Sequence, residues 1–487
     1  MEFDELTQGR IRKLERIRQS GVEPYPPRVK RSHSIMEARG LFEADAADGI
    51  SFSLAGRLTA FRGMGKASFG DLRDSTGRIQ IYLKKDELGE ERYSFLENLD
   101  LGDFLQVTGP LFRTRTGEIT LQVQDFVLLT KSLAPLPEKW HGLRDVEIRY
   151  RQRYLDLLAN PEVGRNFRIR SSAITAMRRF LDRRGFLEVE TPILQPLYGG
   201  AAARPFVTHH NALDQDFYLR IATELYLKRL IVGGIDKVYE IGKNFRNEGI
   251  DAEHNPEFTA MESYEAYADY FDVMSMVEEM VAFIAQEALG TTEISWQDSP
   301  ISLKPPWRRV TMRQAILEHT GVDILAAGSL EQLRSEITAK GIRLDAKPTW
   351  AKTVDELFGE EVQPALVEPT FVMEYPLELS PFAKRKPGDP RLVERFEGFI
   401  GGLEVANAFT ELNDPLDQLE RFQEQVRQRA AGDEETQPYD EDFITALMHG
   451  MPPTGGLGMG IDRLAMLLTG QSSIREVILF PQLRNLG

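Results

Sequence analysis

One hairpin, between Asn244 and Tyr267, constrains the fold of this chain more than any other stretch: NFRNEGIDAEHNPEFTAMESYEAY. β-Favouring residues flank a polar turn that contains glycine, which predicts a strand, a loop and a returning antiparallel strand. Polar groups aimed to one side suit a nucleotide, with Arg246 for a phosphate, Glu248 for an exocyclic amine and Phe258 for stacking. A salt-bridged surface hairpin explains each residue singly, but the set together favours nucleotide binding.

A second segment, TGGLGMGIDRLAMLLTG, runs from a glycine-rich strand or turn into a helix. Leu464, Leu467 and Leu468 keep the apolar spacing of a helix, which places Arg463 in its first turn. Unpaired N–H groups and the dipole at a helix N-terminus favour polyphosphate beside such a cation. Close helix packing accounts for the glycines equally well, so this segment supports the hairpin rather than standing alone.

Together the two segments resemble motifs two and three of the class II aminoacyl-tRNA synthetases. A helix with Ile174, Met177, Phe180 and Leu181 on one face stops at Gly185 before FLEVETPIL and resembles motif one. The resemblance is closest to lysyl-tRNA synthetases of bacterial type and extends through segments such as GGAAARPFVTHHNALD and LSPFAKRKPGDPRLVERFEGFIGGLEVANAFTELNDP. It implies an α+β fold: an N-terminal five-stranded OB barrel, then a class II catalytic domain on an antiparallel β-sheet flanked by helices.

The barrel is also predicted by the residues themselves, because short β runs separated by glycine-bearing turns fill the stretch from about Ile50 to Lys131. In the family this barrel binds the anticodon. The resemblance implies that Phe69 stacks on a base and that Arg62, Gln80 and Glu118 contact base edges. Stabilisation of the barrel is the alternative role for Phe69.

Patterns along the chain predict domain boundaries. They give an N-terminal basic helix and lead-in over 1–49, the barrel over 50–132, a linker over 133–164 and a catalytic domain over 165–487, with an inserted helical region at about 271–369. Residues 1–31 carry eight Lys or Arg against five acids. This predicts either a docked amphipathic helix with a solvated face, on the stripe Leu6, Ile11, Leu14 and Ile17, or a phosphate contact.

Composition is compatible with this reading. The formal net charge of −16 does not argue against tRNA, because nucleic-acid contact needs only a local positive face. The chain has no cysteine, which excludes disulfides and thiolate metal sites. Its acidic start and the lack of a long apolar run predict a cytoplasmic protein without membrane insertion.

The chemistry follows from the resemblance. Activation joins the lysine carboxylate to the α-phosphorus of ATP, so cations are needed to bring the negative carboxylate and phosphates together. Arg246 and Arg463 are the expected catalytic residues. The full set of expected ATP-binding residues is Arg246, Glu248, His254, Asn255, Phe258 and Arg463. Glu253 departs from the basic residue common among relatives and would weaken the field beside a triphosphate.

Magnesium is the expected metal, held by Glu397 and Glu404 in the hairpin VERFEGFIGGLEVANA. A two-residue turn at Gly401 and Gly402 sets Phe399 opposite Glu404 and Glu397 opposite Ala406. Regular alternation then puts Glu404 and Asn407 on opposite faces, although the family uses both in one site. We therefore predict a bulge or a change of twist between Glu404 and Asn407.

Substrate choice depends on acceptors for two ammonium groups. The resemblance implies that Glu411 and Tyr264 hold the ε-ammonium with Glu262 close by, that Gly200 and Glu224 meet the α-amine, and that Asn407 helps with the carboxylate. Glu224 also forms an ordinary i, i+4 helix pair with Lys228.

The expected function is lysine activation and transfer to tRNA(Lys) by a homodimer formed through motif one. The alternatives are an aspartyl or asparaginyl enzyme of the same subclass, or a catalytically silent RNA-binding paralogue. Two further motifs are rejected. GMGKAS at 63–68 has Ala67 where a phosphate loop needs Ser or Thr, and His209 and His210 lack the spacing and partners of a metal site.

Overall fold

The computed structural model describes residues 3–136, 143–430 and 436–484. Its chain divides into two compact units, Met1–Arg144 and Asp145–Gly487. No helix within the described ranges is long and apolar enough to cross a bilayer.

The first unit is a small β structure with four helices. Its helices are α1 (Glu5–Gln19), α2 (Ile35–Glu43), α3 (Lys85–Leu88) and α4 (Glu90–Phe95), with a 3-10 turn at Leu96–Asn98. Its strands are β1 (Phe52–Met64), β2 (Ala67–Arg73), β3 (Arg78–Lys84), β4 (Phe104–Gly109), β5 (Leu111–Arg113), β6 (Ile119–Val123) and β7 (Asp125–Thr130). The five predicted β runs are all present, and the last two are divided, at Pro110 and at Gln124.

These strands close into a barrel. The sheet runs β5-β6-β3-β2-β1-β4-β7, and the chain just after β6 bonds back to β4 where Gln124 N–H donates to the Thr108 carbonyl at 2.8 Å. Gly109 lies at this closure, where a Cβ atom would stand 1.8 Å from the Gln122 carbonyl oxygen. Only glycine fits so close an approach of two backbones, which explains this residue in the sequence.

The N-terminal helix is docked on the barrel unit. Leu14 and Ile17 are buried, whereas Leu6 is 66% exposed, so the predicted apolar stripe is wrong at its first residue. Lys13 forms an ion pair with Asp100 at 2.7 Å, and Arg10 donates to the Ala134 carbonyl at 2.9 Å. Two of the basic residues therefore hold the helix to its own unit.

The second unit contains the remaining helices and strands. Its helices are α5 (Val146–Arg151), α6 (Arg153–Ala159), α7 (Val163–Arg183), α8 (Glu224–Val232), α9 (Tyr270–Leu289), α10 (Met312–Thr320), α11 (Leu330–Ala339), α12 (Trp350–Glu361), α13 (Pro415–Ala430), α14 (Glu441–Met448) and α15 (Ile461–Thr469), with 3-10 turns at Gln363–Ala365, Leu377–Leu379 and Ile474–Glu476. Its strands are β8 (Leu187–Glu188), β9 (Leu194–Gln195), β10 (Val207–His210), β11 (Gln215–Leu219), β12 (Lys237–Phe245), β13 (Glu257–Ala266), β14 (Glu293–Trp296), β15 (Ser299–Ser302), β16 (Arg308–Thr311), β17 (Thr370–Met373), β18 (Arg385–Lys386), β19 (Asp389–Val393), β20 (Arg395–Ile400), β21 (Leu403–Thr410) and β22 (Thr454–Gly460).

An eight-stranded sheet organises this unit, in the order β16-β17-β20-β21-β22-β13-β12-β8. Its centre is antiparallel, as predicted, and the two outermost pairs, β16 with β17 and β12 with β8, are parallel. The hairpin predicted from the sequence is β12 and β13, paired from Lys237 opposite Glu265 to Phe245 opposite Glu257.

Helices α7, α9 and α15 pack together on one face of this sheet around a large apolar core. The predicted motif one helix is α7. Met177 and Leu181 are fully buried in this core, and the helix ends just before Gly185, whose φ of +80° favours glycine. The region from 271 to 369 is only partly helical, since it includes the hairpin β14–β15 and the edge strand β16.

Between these units, the predicted linker falls partly outside the described residues, at 137–142. The part from residue 143 onward carries α5 and α6 and the start of α7. Arg153 on α6 is fully buried and donates to the carbonyls of Arg475 at 2.6 Å and Leu479 at 3.1 Å. This arginine therefore fastens the later part of the predicted linker to the C-terminal segment.

Candidate active site

A cavity of about 490 Å³ opens on the sheet face opposite α7, α9 and α15. Its walls come from β13, β21, β22, the loop after β12 and the start of α15. Gly456 and Gly458 of β22 line the floor without side chains, which leaves space above the sheet. One part of the cavity is rich in arginine and the other in glutamate; we name these the arginine lobe and the acidic lobe.

The arginine lobe brings together the two guanidinium groups that the sequence separates by more than two hundred residues. Arg246 and Arg463 both line the cavity. The Arg246 guanidinium lies 5.0 Å from the centre of the Phe258 ring. Burial lowers the pKa of Arg246. The charges of Glu248 and Glu404 oppose this shift, and the Arg463 charge lowers the pKa further. Two cations that repel each other in a half-buried site form a place for an anion.

Arg463 is held by a short network. Its Nη1 donates to the backbone and to the carboxylate of Glu404, each at 3.1 Å. Its Nη2 lies 3.0 Å from His254 Nε2. Because a guanidinium only donates, Nε2 accepts, and the imidazole proton sits on Nδ1, 2.8 Å from Asp251. His254 is thus oriented before any ligand arrives.

The remaining predicted nucleotide residues, Glu248, Asn255 and Phe258, also border the cavity. The Asn255 amide is already occupied, since it donates to the Glu257 carbonyl at 2.6 Å and accepts from Gln482 N–H at 3.2 Å. It therefore fastens the loop to the C-terminal segment. Glu253 lines the cavity.

The predicted bulge is present in β21. Phe399 pairs with Glu404 and Gly398 with Ala406, so Val405 is the extra residue. The predicted pairing of Glu397 with Ala406 is wrong, because the extra residue moves the register and sets Glu397 opposite Asn407. The same shift brings Glu404, Asn407 and Glu411 to the cavity side.

Glu397 is held beside this wall by two donors. Tyr375 donates to it at 2.8 Å and Arg395 forms an ion pair at 2.6 Å. Burial raises the pKa of Glu397 to about 7; Arg395 opposes this and the Glu404 carboxylate adds to it. The described residues contain no cluster of three or more metal-binding side chains. The two glutamates thus form a pair whose repulsion a cation would relieve.

The acidic lobe contains three buried carboxylates, Glu224, Glu262 and Glu411. Glu262 accepts from Thr223 N–H at 3.1 Å and from the Tyr264 hydroxyl at 3.2 Å. Burial, followed by the three glutamates, raises the pKa of Tyr264 well above its usual range, so this hydroxyl keeps its proton. So many like charges in a dry cavity create a demand for cations.

Glu411 is the least satisfied of the three. It is 1% exposed, and within the described chain neither of its oxygens accepts a hydrogen bond of regular geometry. It has an ion-pair contact with Lys228 at 2.5 Å. A Cβ atom on Gly456 would lie 1.8 Å from Glu411 Oε1, so glycine is required beneath this carboxylate.

The other predicted lysine-site residues are also here. Gly200 (φ +88°) packs its backbone against Glu224, leaving a Cβ atom only 3.0 Å from the Glu224 Cβ. Gly200 N–H donates to Gln437 at 3.0 Å. The Asn407 amide oxygen accepts from Arg395 at 3.1 Å.

Sequence reasoning missed Arg395 and Gln437 in this cavity and gave Lys228 only a helix-pairing role. Arg395 had a signal, because it lies two residues before Glu397 and hence on the same side of the strand. Gln437 had none, since its loop meets Gly200 only through the tertiary fold.

The four predicted anticodon residues lie together on the first unit. Phe69 pairs with Arg62 across β1 and β2 and stacks on Tyr82, with ring centres 4.7 Å apart. Gln80 accepts from Thr120 at 2.9 Å. The Glu118 carboxylate forms an ion pair with Arg78 at 2.9 Å through one of its oxygens. An aromatic pair edged by polar groups is a surface on which single-stranded bases can stack.

The two rejected motifs lie away from the cavity. His209 lies on an exposed strand, 2.9 Å from Asp216. The segment at 63–68 forms the turn between β1 and β2, with Gly65 at a φ of +67°.

A closed β-barrel, followed by an antiparallel sheet whose cavity joins two arginines to an acidic lobe, defines a synthetase of class II type. Comparison with known families gives the same class. Residues 145–484 match the family described as tRNA synthetases class II (D, K and N), and residues 52–129 match the OB-fold nucleic acid binding domain. The chain belongs to the class II tRNA synthetases of this D, K and N group.

Among individual relatives, the chain is 57% identical to the lysine–tRNA ligase of Roseiflexus castenholzii over 99% of both chains. It is 57% identical to that of Chloroflexus aurantiacus, again over 99% of both. It is 54% identical to that of Carboxydothermus hydrogenoformans over 99% of both.

Proposed function

We propose that this protein is a lysine–tRNA ligase, which activates L-lysine with ATP and transfers it to the 3′ end of tRNA(Lys). The observation that carries the proposal is Glu411, a buried carboxylate without a regular hydrogen bond, in the same cavity as Arg246 and Arg463. A cation with an attached carboxylate, next to ATP, satisfies both ends of this cavity. Relatives at 54–57% identity carry the same name.

In the first step, a lysine carboxylate oxygen bonds to the α-phosphorus and the bond to pyrophosphate breaks. Arg246 neutralises the α-phosphate and the incoming carboxylate, while Arg463 and His254 meet the β- and γ-phosphates. Phe258 and the Arg463 plane hold the adenine, with Glu248 and Asn255 near its amino group. These residues act by positioning and charge stabilisation, and no side chain needs to form a covalent bond.

In the second step, a hydroxyl at the tRNA 3′ end attacks the lysyl carbonyl, and AMP leaves. Arg246 again faces the charge that develops on the leaving phosphate.

In lysine recognition, Glu411 and Tyr264 receive the ε-ammonium, with Glu262 behind them. Glu224 and the backbone of Gly200 receive the α-amine, and Asn407 orients the carboxylate. An aspartyl enzyme would need a cation where this chain has Glu411, which argues against that alternative.

Glu397 and Glu404 would hold Mg²⁺. Their carboxylates fit a hard cation, because both are half-buried and the Glu404 charge raises the pKa of Glu397. When bound, the ion supplies positive charge to the triphosphate.

Beyond the cavity, Phe69, Arg62, Gln80 and Glu118 would bind the anticodon, and α7 with the following β8 would form a homodimer interface. The domain boundaries given above, including the linker and the insertion, and a cytoplasmic location stay predictions of the same proposal.

The decisive experiment is ATP–pyrophosphate exchange with each standard amino acid in turn, followed by charging of tRNA(Lys). Exchange driven by lysine alone is the expected result. Exchange driven by aspartate or asparagine would overturn the substrate assignment. Absence of exchange with every amino acid, together with retained RNA binding, would identify a silent paralogue.

A further inference from the structure

Beneath the acidic lobe lies an ammonium group that the proposed reaction does not use. Lys228 on α8 is fully buried. Its Nζ atom lies 2.5 Å from Glu224 Oε1 and 2.5 Å from Glu411 Oε2. It sits behind these carboxylates and does not line the cavity.

The surroundings of Lys228 are aromatic. Its Nζ lies 4.8 Å from the ring centre of Phe382, 5.4 Å from that of Phe409 and 5.9 Å from that of Phe443. Such a site stabilises a cation through the ring faces but excludes the water that would otherwise solvate it. The ammonium therefore depends on its two carboxylates.

A helix pair does not account for this arrangement. Glu224 is four residues before Lys228 on the same helix, but Glu411 comes from the end of β21. An exposed pair of this spacing contributes only a few tenths of a kcal/mol, whereas burying a charge is costly. Burial lowers the pKa of Lys228, yet Glu224 and Glu411 outweigh it and raise the pKa overall, so the ammonium stays charged.

The charges of the lobe can be counted. When all three are ionised, Glu224, Glu262 and Glu411 carry three negative charges, and Lys228 carries one positive charge. A bound lysine brings two ammonium groups, and its carboxylate faces Arg246. Arg395 also lines the cavity but forms an ion pair with Glu397 at 2.6 Å, and with that pair set aside the sum is neutral only if Lys228 is present.

We propose that Lys228 is a positioning residue: a built-in third cation that balances the acidic lobe, so that a substrate with two ammonium groups neutralises it. This inference rests on the proposed function. It assigns Lys228 a role in lysine affinity through Glu224 and Glu411, without contact between Lys228 and the substrate.

The test is Lys228→Met, which keeps much of the length and apolar stem but removes the charge. Without the ammonium, the free protein takes up about one extra proton, and lysine must displace it on binding. Calorimetric titration with lysine, in two buffers of different ionisation enthalpy, counts the released protons. We expect about one proton more than in the wild type at neutral pH, and a lysine Kd raised roughly 10- to 100-fold. The KM for ATP should stay unchanged.

Two controls separate this role from a structural one. Lys237→Met removes another ion pair of the same unit, with Glu265 at 2.5 Å, and should change neither the proton count nor lysine affinity. Lys228→Gln keeps hydrogen-bond donors but removes the charge, so this variant should also release the extra proton when lysine binds. It is used in place of Lys228→Met if the Met variant does not fold.

The outcomes are distinct. If wild-type protein binds lysine and both Lys228 variants release no additional proton, the charge-balance role is wrong while the proposed function stands. If wild-type protein does not bind lysine at all, the proposed function fails and takes this inference with it.

Discussion

Replacing Glu411 with glutamine tests the lysine site most directly. The substitution preserves the shape of the side chain and removes one charge from a carboxylate that is 1% exposed. It leaves a substrate ammonium without its counter-ion and leaves Lys228 with Glu224 alone. The effect should therefore fall on lysine rather than on ATP.

The magnitude follows from the burial of this charge. Removing one partner of a buried charge pair costs roughly 2–5 kcal/mol. Glutamine retains a hydrogen-bonding oxygen, and Glu262 and Tyr264 remain, so the lower part of this range applies. Since about 1.4 kcal/mol is a factor of ten, about 2–3 kcal/mol corresponds to a lysine KM raised roughly 30- to 150-fold. The KM for ATP should change by less than about threefold.

The assay is ATP–pyrophosphate exchange with lysine and ATP varied separately. Glu265→Gln is a matched control, because Glu265 lies on the same strand as Glu262 but pairs with Lys237, away from the cavity. Similar increases in both KM values, or no change in either, would refute the assignment of Glu411 to the ammonium.

Three further predictions follow from the structure. Gly456→Ala should abolish lysine-dependent exchange, because the new Cβ would lie 1.8 Å from Glu411 Oε1. ATP binding in an equilibrium assay should be preserved. Gly458→Ala is the control, and it should have a much smaller effect because its new Cβ has its nearest contact at 3.8 Å. Phe69→Ala should raise the KM for tRNA roughly tenfold, the cost of about one lost base stack, without altering exchange, and an equal loss of exchange would contradict a separate anticodon surface. Burial raises the pKa of Glu262 and Glu411, so these groups gain protons at higher pH than ordinary glutamates. Lysine affinity measured by calorimetry should accordingly fall as the pH is lowered, and the fall should begin at a higher pH than an ordinary glutamate would give; a rise in affinity would contradict this.

The bulge in β21 shows how far local pattern reasoning extends. Alternation along a strand assigns each residue to a face, and this rule placed Glu404 and Asn407 on opposite sides. The conflict with a shared site was enough to predict an irregularity between them. That Val405 is the extra residue, and that Glu397 consequently faces Asn407, required the register with β20.

Sequence by itself determined the elements that carry the barrel and the arginine part of the cavity, but not the strands within 271–369. The β runs of the barrel, the hairpin of β12 and β13, the glycine strand β22 and the helix that starts beside Arg463 all follow from periodicity and turn chemistry, which act over a few residues. Tertiary structure alone decided which charges meet. Lys228 reached Glu411, and Gln437 reached Gly200, because packing joins segments far apart in the chain, and the energy of a buried charge depends on those neighbours rather than on its place in the sequence.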